Sequence, residues 1–200
     1  MKEVIEVKRD DLRELYQVLT NYPAISKEQV QNEMHKVFGE DTFKPKDITE
    51  RVKTFEDACR ELGEEHPFVS AYTAWIKHEE FDDQEDILAY MKLRIICAAL
   101  NEGWEPQFTE DEWRYYPWNI LWTEEELSEK SDEWKTDRHL ISTGEYQTDY
   151  AGLACANSIS APSDTAALVG SLLCLKSDTL AVYCGKQFIN IWADFYLIRK

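Results

Sequence analysis

The groups in this chain that could do chemistry are four histidines, five cysteines and 39 carboxylates, and their spacing excludes most reactions. His35, His66, His78 and His139 are scattered, with no pair at i, i+4. His78-Glu79-Glu80 therefore lacks the second histidine that a zinc-binding helix needs. Asp82, Asp83, Glu85 and Asp86 bunch like calcium ligands, but the run has no glycine at the sixth position of an EF-hand loop. They read instead as acidic residues leading into a helix, where they complement its dipole. Gly185-Lys186 has neither the upstream glycine nor the following hydroxyl of a P-loop, and no GxGxxG occurs, so no backbone cradle for phosphates is expected. Ser171 is not flanked as in a GxSxG elbow. Cysteine–histidine pairs are assembled only by folding, and none is singled out by spacing. No metal, cofactor or catalytic residue is expected.

Aromatic residues carry more information. Trp104, Trp113, Trp118, Trp122 and Trp134, five of the seven tryptophans, fall within 31 residues, with Phe108, Tyr115 and Tyr116 among them. Carboxylates are interleaved: Glu105, Glu110, Asp111, Glu112, Glu124, Glu125 and Glu126. Rings beside carboxylates suit a contact site for a basic protein or a platform for sugars, and they also suit a cover over the sheet and the central helix with polar tips at the surface. Stacking on single-stranded nucleic acid needs a positive groove, and this region has the opposite charge. The candidate contact residues are Trp113, Tyr115, Tyr116, Trp118 and Trp122. The candidate acidic surface is Asp82, Asp83, Glu85, Glu110, Asp111, Glu112, Glu124, Glu125 and Glu126.

The net charge of −17 is concentrated in one stretch. Residues 1–60 carry a net −2, residues 61–138 a net −14 and residues 139–200 a net −1. Such a surface repels phosphate backbones and anionic headgroups, so direct nucleic-acid and membrane binding are not expected. Basic protein partners, or self-association, remain. Cys59, Cys97, Cys155, Cys174 and Cys184 form an odd set without CxxC spacing, each in an apolar stretch, as expected for free thiols in a reducing interior. The opening Met1-Lys2-Glu3-Val4 lacks a signal peptide's apolar core, and no stretch reaches the ~20 apolar residues of a membrane span. The expected location is cytoplasmic.

Positioning these groups falls to an α+β fold. Asp10 is expected to cap a helix ended by Pro23, and Ser26 with Gln29 one stopped by Gly39. Thr54 with Asp57 opens a third helix, residues 67–80 a fourth. Asp86 is expected to cap, and Gly103 to close, a helix whose apolar residues occupy nearly every face, which predicts a buried central helix. After Gly103, Tyr116, Trp118, Ile120 and Trp122 alternate at strand period, and Pro117 places that strand at an edge. Further strands are expected at 140–142, 144–154 and 169–176, with a turn-rich divider at 157–164. Ser177 then caps one last helix carrying Leu180, Cys184, Phe188, Ile191 and Phe195 along a stripe. Gly185 inside it implies a close approach to the sheet. The whole reads as N-terminal helices, a buried central helix, a small antiparallel sheet and a C-terminal helix packed on it, in one domain over 1–200 with room for a small helical lobe over 1–50.

Four segments carry a resemblance: residues 53–63 (KTFEDACRELG), 100–106 (LNEGWEP), 115–118 (YYPW) and 170–195 (GSLLCLKSDTLAVYCGKQFINIWADF). Together they resemble an uncharacterised family of gut-bacterial and phage- or prophage-borne proteins, over about residues 50 to 198. The family brings no activity and hence no site residue. What the resemblance implies is a mobile-element origin, where virion parts and host-takeover proteins are common. The function expected is non-enzymatic protein contact through the acidic, aromatic-rich stretch at 104–134. The alternatives are a hydrolase using carboxylates near that cluster, a glycan-binding module, and a nucleic-acid mimic.

Overall fold

The computed structural model describes residues 6–24, 26–39, 42–77, 84–107, 109, 111–162 and 171–200. Asp82, Asp83 and Glu110 of the candidate acidic surface lie outside them, as do Phe108, His78, Glu79, Glu80, Val169 and Gly170. The chain divides into two compact units, Met1–Asp47 and Ile48–Lys200.

The first unit pairs α1 (Arg9–Thr20) with α2 (Lys27–Phe38). Neither helix has a buried residue of its own. Phe43, in the segment after α2, is buried and stacks on Tyr16 at 4.6 Å and on His35 at 5.6 Å. Lys8, not Asp10, is the N-cap of α1; Asp10 stands in the first turn and pairs with Lys46 at 2.7 Å and Arg13 at 3.3 Å. Ser26 caps α2 by accepting from the Gln29 N–H.

The second unit is built around α6 (Glu85–Asn101). Its residues Leu93, Ile95, Ile96, Cys97, Ala99 and Leu100 are buried, the multi-sided burial that its sequence predicts. Gln84, rather than Asp86, holds the N-cap position, and Glu85 and Asp86 supply negative charge to the first turn. Around it stand α3 (Ile48–Arg51), α4 (Phe55–Leu62) and α5 (Pro67–Trp75). Thr54 and Asp57 form a reciprocal capping box at α4.

The sheet has strand order β1-β3-β2, with β1 at Trp113–Trp122, β2 at Ile141–Ser142 and β3 at Gly152–Pro162. Both pairings are antiparallel. Pro117 thus sits on an edge strand, where its missing N–H costs no ladder bond. The expected turns at 157–164 are corrected as far as Pro162: Asn157 to Pro162 continue β3, paired with Trp118 back to Trp113. Long pairing with an aromatic strand outweighs the weak strand preference of Ser158 and Ser160. The expected strand at 144–154 begins only at Gly152, and the one at 169–176 is a 3-10 turn at Ser171–Leu173 followed by a single bridge between Leu175 and Tyr115. The buried Asn101 side chain explains that shortness. Its Nδ2 donates to Cys174 O at 2.9 Å and its Oδ1 accepts from Lys176 N at 3.0 Å, using backbone groups on both sides of Leu175.

Between β1 and β2 run two short helices that sequence patterning did not predict, α7 (Glu124–Ser128) and α8 (Asp132–Asp137). The expected last helix is two, α9 (Asp178–Gln187) and α10 (Ile189–Tyr196), broken at Phe188. α9 packs on β1 and β3, whereas α10 packs mainly on α6, so the break lets one apolar stripe serve two surfaces. The close approach predicted for Gly185 is present, against Pro117 and Cys155.

Candidate functional site

Two faces of the sheet divide the aromatic residues. Side chains alternate along a strand, and Pro117, Asn119 and Cys155 meet Gly185 of α9. Trp113 and Tyr115 share the parity of Pro117 and so belong to the α9 face. Arg114, Tyr116, Trp118, Ile120 and Trp122 belong to the opposite, outer face. The alternation read from sequence is therefore real, but the five candidate contact residues do not form one surface.

Burial separates them further. Tyr116 is 0 % exposed and is core, which removes it from any contact surface; burial also raises its phenol pKa. Tyr115 and Trp122 are half-buried, while Trp113 and Trp118 are 55 % and 46 % exposed. Trp118 and Trp122 share the outer face at a separation of about 13 Å. Ile120, half-buried, lies between them. Towards Trp122 the face is roofed: Trp134 meets Trp122 edge-to-face at 5.1 Å, and Leu127 and Leu140 reach Gly152, the partner of Trp122 in β3. Lys130 Nζ lies 5.2 Å from the Trp122 ring and 5.7 Å from that of Trp134, covering both with one cation.

A bulge shapes the middle of this face. Register shifts between Trp118 and Asn119, which pair with Asn157 and Cys155, leaving Ala156 as the extra residue of β3. Arg138, at the end of α8, holds it from both sides: its guanidinium donates to Ala156 O, and its own carbonyl accepts from Cys155 N at 3.2 Å. The same guanidinium lies 5.9 Å from the Trp134 ring. One arginine thus connects the bulge opposite Trp118 to the roof over Trp122. No spacing in the sequence points to it.

The acidic residues take several roles. Glu126 closes a capping box at α7, its Oε2 accepting from the Thr123 N–H at 2.9 Å and from the Thr123 hydroxyl at 3.1 Å; those bonds hold its carboxyl below the usual range. The T-x-x-E spacing at Thr123 was readable as this helix start. Glu112 Oε2 accepts from Gln107 N at 2.6 Å, tying down the segment before β1. Glu124, Glu125 and Asp111 are exposed. Glu85 lies elsewhere in the unit, beside Asp194 and Arg199 in a cleft of about 290 Å³ between the start of α6 and the chain's last residues. There Asp194 Oδ1 accepts from the Tyr146 hydroxyl at 2.7 Å and from Arg199 at 2.7 and 3.0 Å.

Among the described carboxylates whose pKa is displaced, Asp10, Asp57, Glu102 and Glu126, every shift is downward, the reverse of what a general acid needs. The described residues contain no group of three or more His, Cys, Asp or Glu placed to hold a metal ion. All five cysteines are free, and burial raises the thiols of Cys155 and Cys174 to about 11, which makes them poor nucleophiles at neutral pH. No described helix is long and apolar enough to cross a membrane.

Comparison with family models, with curated proteins and with solved structures finds no match to this chain.

Proposed function

We propose that this protein works by contacting another protein, without catalysis, through the outer face of its sheet. The observation that carries the reading is Trp118: an indole 46 % exposed on an edge strand, next to a bulge held by Arg138, on a face otherwise buried or roofed. An exposed aromatic beside a structured, partly apolar rim has the anatomy of a contact hot spot. Carboxylates of α7 and α8, Glu124, Glu125, Asp132 and Glu133, are exposed at the roofed end. The partner this charge favours is basic, with association accelerated at low salt. A net charge of −17 opposes pairing of two copies, so a different chain is the preferred partner. A cytoplasmic setting and a mobile-element origin belong to the same proposal.

The test is quantitative affinity capture from a bacterial lysate with the wild type, Trp118→Ala and Trp113→Ala. The reading expects a recovered protein of basic isoelectric point whose yield falls at least about tenfold, or 1.4 kcal/mol, with Trp118→Ala and stays unchanged with Trp113→Ala. Equal recovery by all three chains would remove it.

A further inference from the structure

A second concavity is walled by α7, α8, β2 and the loop 143–151, and Leu127, which reaches Gly152 on the outer face, also lines it. Its volume is about 560 Å³, within the range of small-molecule sites. Unlike the sheet face, it is lined by hydroxyls. The loop is fixed from below by Thr143, which is buried and whose hydroxyl donates to Tyr150 O, while its N–H donates to Ala151 O at 3.2 Å. Those bonds set the backbone of Tyr150, whose ring is 45 % exposed at the rim.

Two further hydroxyls are oriented by the loop. Ser142 Oγ accepts from Gly144 N at 3.3 Å and Thr148 Oγ accepts from Tyr150 N at 3.2 Å. Each oxygen is thereby positioned, and each O–H is left to donate outward. Across the groove stand Glu124 and Lys135, whose side chains have no hydrogen-bond or ion-pair partner among the described residues. The lining thus offers one acceptor charge, one donor charge, several hydroxyls and one ring face, with no net charge.

We infer that this groove binds a neutral saccharide. A carboxylate takes two vicinal hydroxyls, an ammonium donates to ring or hydroxyl oxygens, and both bonds gain from the charge. A tyrosine ring at the rim presents an apolar face to the C–H side of a pyranose while its hydroxyl stays wet. A polyanion or polycation would gain nothing from a lining whose charges cancel. A wholly apolar ligand would leave Glu124, Lys135 and the hydroxyls desolvated without partners. This site shares Glu124 with the acidic end of the protein contact proposed above but does not include Trp118.

The probes are cellotriose, chitotriose and galactotriose, titrated into the full chain and followed by saturation-transfer NMR and calorimetry. At least one is expected to bind, with affinity falling at least about tenfold in Tyr150→Leu, which keeps bulk but removes the ring, and in Glu124→Gln. Trp118→Ala is expected to leave that binding unchanged, and circular dichroism checks that each variant is folded. Absence of binding by all three probes up to about 10 mM overturns the inference. So does binding that Tyr150→Leu does not weaken, or that Trp118→Ala weakens equally.

Discussion

Gly185 and Cys155 are in contact across the helix–sheet interface so closely that a Cβ on Gly185 would stand 2.7 Å from the Cys155 Sγ. The same carbon would meet Pro117 Cβ at 2.8 Å. Both distances lie below any real Cβ contact, and one neighbour is part of a rigid ring. Glycine is therefore what lets α9 lie on the sheet and fixes which face of β1 is left outward.

The first prediction follows directly. Gly185→Ala gains about 1 kcal/mol of helix propensity but loses about 1–3 kcal/mol to overpacking. The expected net result is a lower denaturant midpoint. Adding Cys155→Ala restores only part of it, because Pro117 stays in place. Paired urea titrations measure both.

Asn101 is the second. It is buried at the end of α6 and bonds the backbone of Cys174 and Lys176. Asn101→Ala leaves two backbone groups without partners and is expected to cost about 1–3 kcal/mol. Asn101→Asp keeps the bond to Lys176 N but sets a carboxylate oxygen against Cys174 O in a buried site, so it is expected to be at least as destabilised as Asn101→Ala at neutral pH. Chemical denaturation of the three chains checks the order.

Alkaline behaviour supplies the third. Burial, and then the hydrogen bond to Asp194, push the Tyr146 phenol up to about 12 from an ordinary 10. A phenol whose folded pKa is raised stabilises the fold fully below pH 10, and that contribution is lost as pH rises from 10 to 12. Tyr146→Phe is expected to be less stable near neutral pH and to show a shallower decline across that window. Thermal midpoints measured from pH 8 to 12 decide it.

At the acid end Glu102 carries the fourth. Lys176 Nζ at 2.9 Å and Arg51 Nη2 at 2.8 Å hold its carboxyl below the ordinary 4.5. A lowered carboxyl contributes above 4.5, and its contribution disappears as pH falls through the depressed value. Glu102→Gln should therefore narrow the stability difference between pH 6 and pH 3 relative to the wild type, although the exposed part of the pair limits the effect.

Some of this architecture was legible in the residues. The apolar faces of α6, the alternation of β1, the edge position of Pro117 and the close approach at Gly185 each follow from a local pattern with one physical solution. The elements that escaped are those set by distant partners. Ser158 and Ser160 are strand because Pro117 and Tyr115 lie beside them, and Leu175 makes a single bridge because Asn101 takes its neighbours. Phe188 breaks a helix that periodicity alone would continue, since α9 and α10 have different surfaces to cover.

The candidate site was legible only in part, for a similar reason. Composition located the aromatic cluster, but which rings are exposed depends on where α9 lies. Tyr116 and Trp118 are two residues apart on one face, and one is core while the other is half in solvent. Arg138, which holds the bulge, carries no sequence signal because its role is made by a carbonyl 18 residues away.

The most direct test of the central claim is hydroxyl-radical footprinting of the tryptophans in the free chain and in the captured complex. The outer-face contact predicts that oxidation of Trp118 falls on complex formation while that of Trp113, on the α9 face, does not change. Protection of Trp113 with Trp118 still reactive would contradict it.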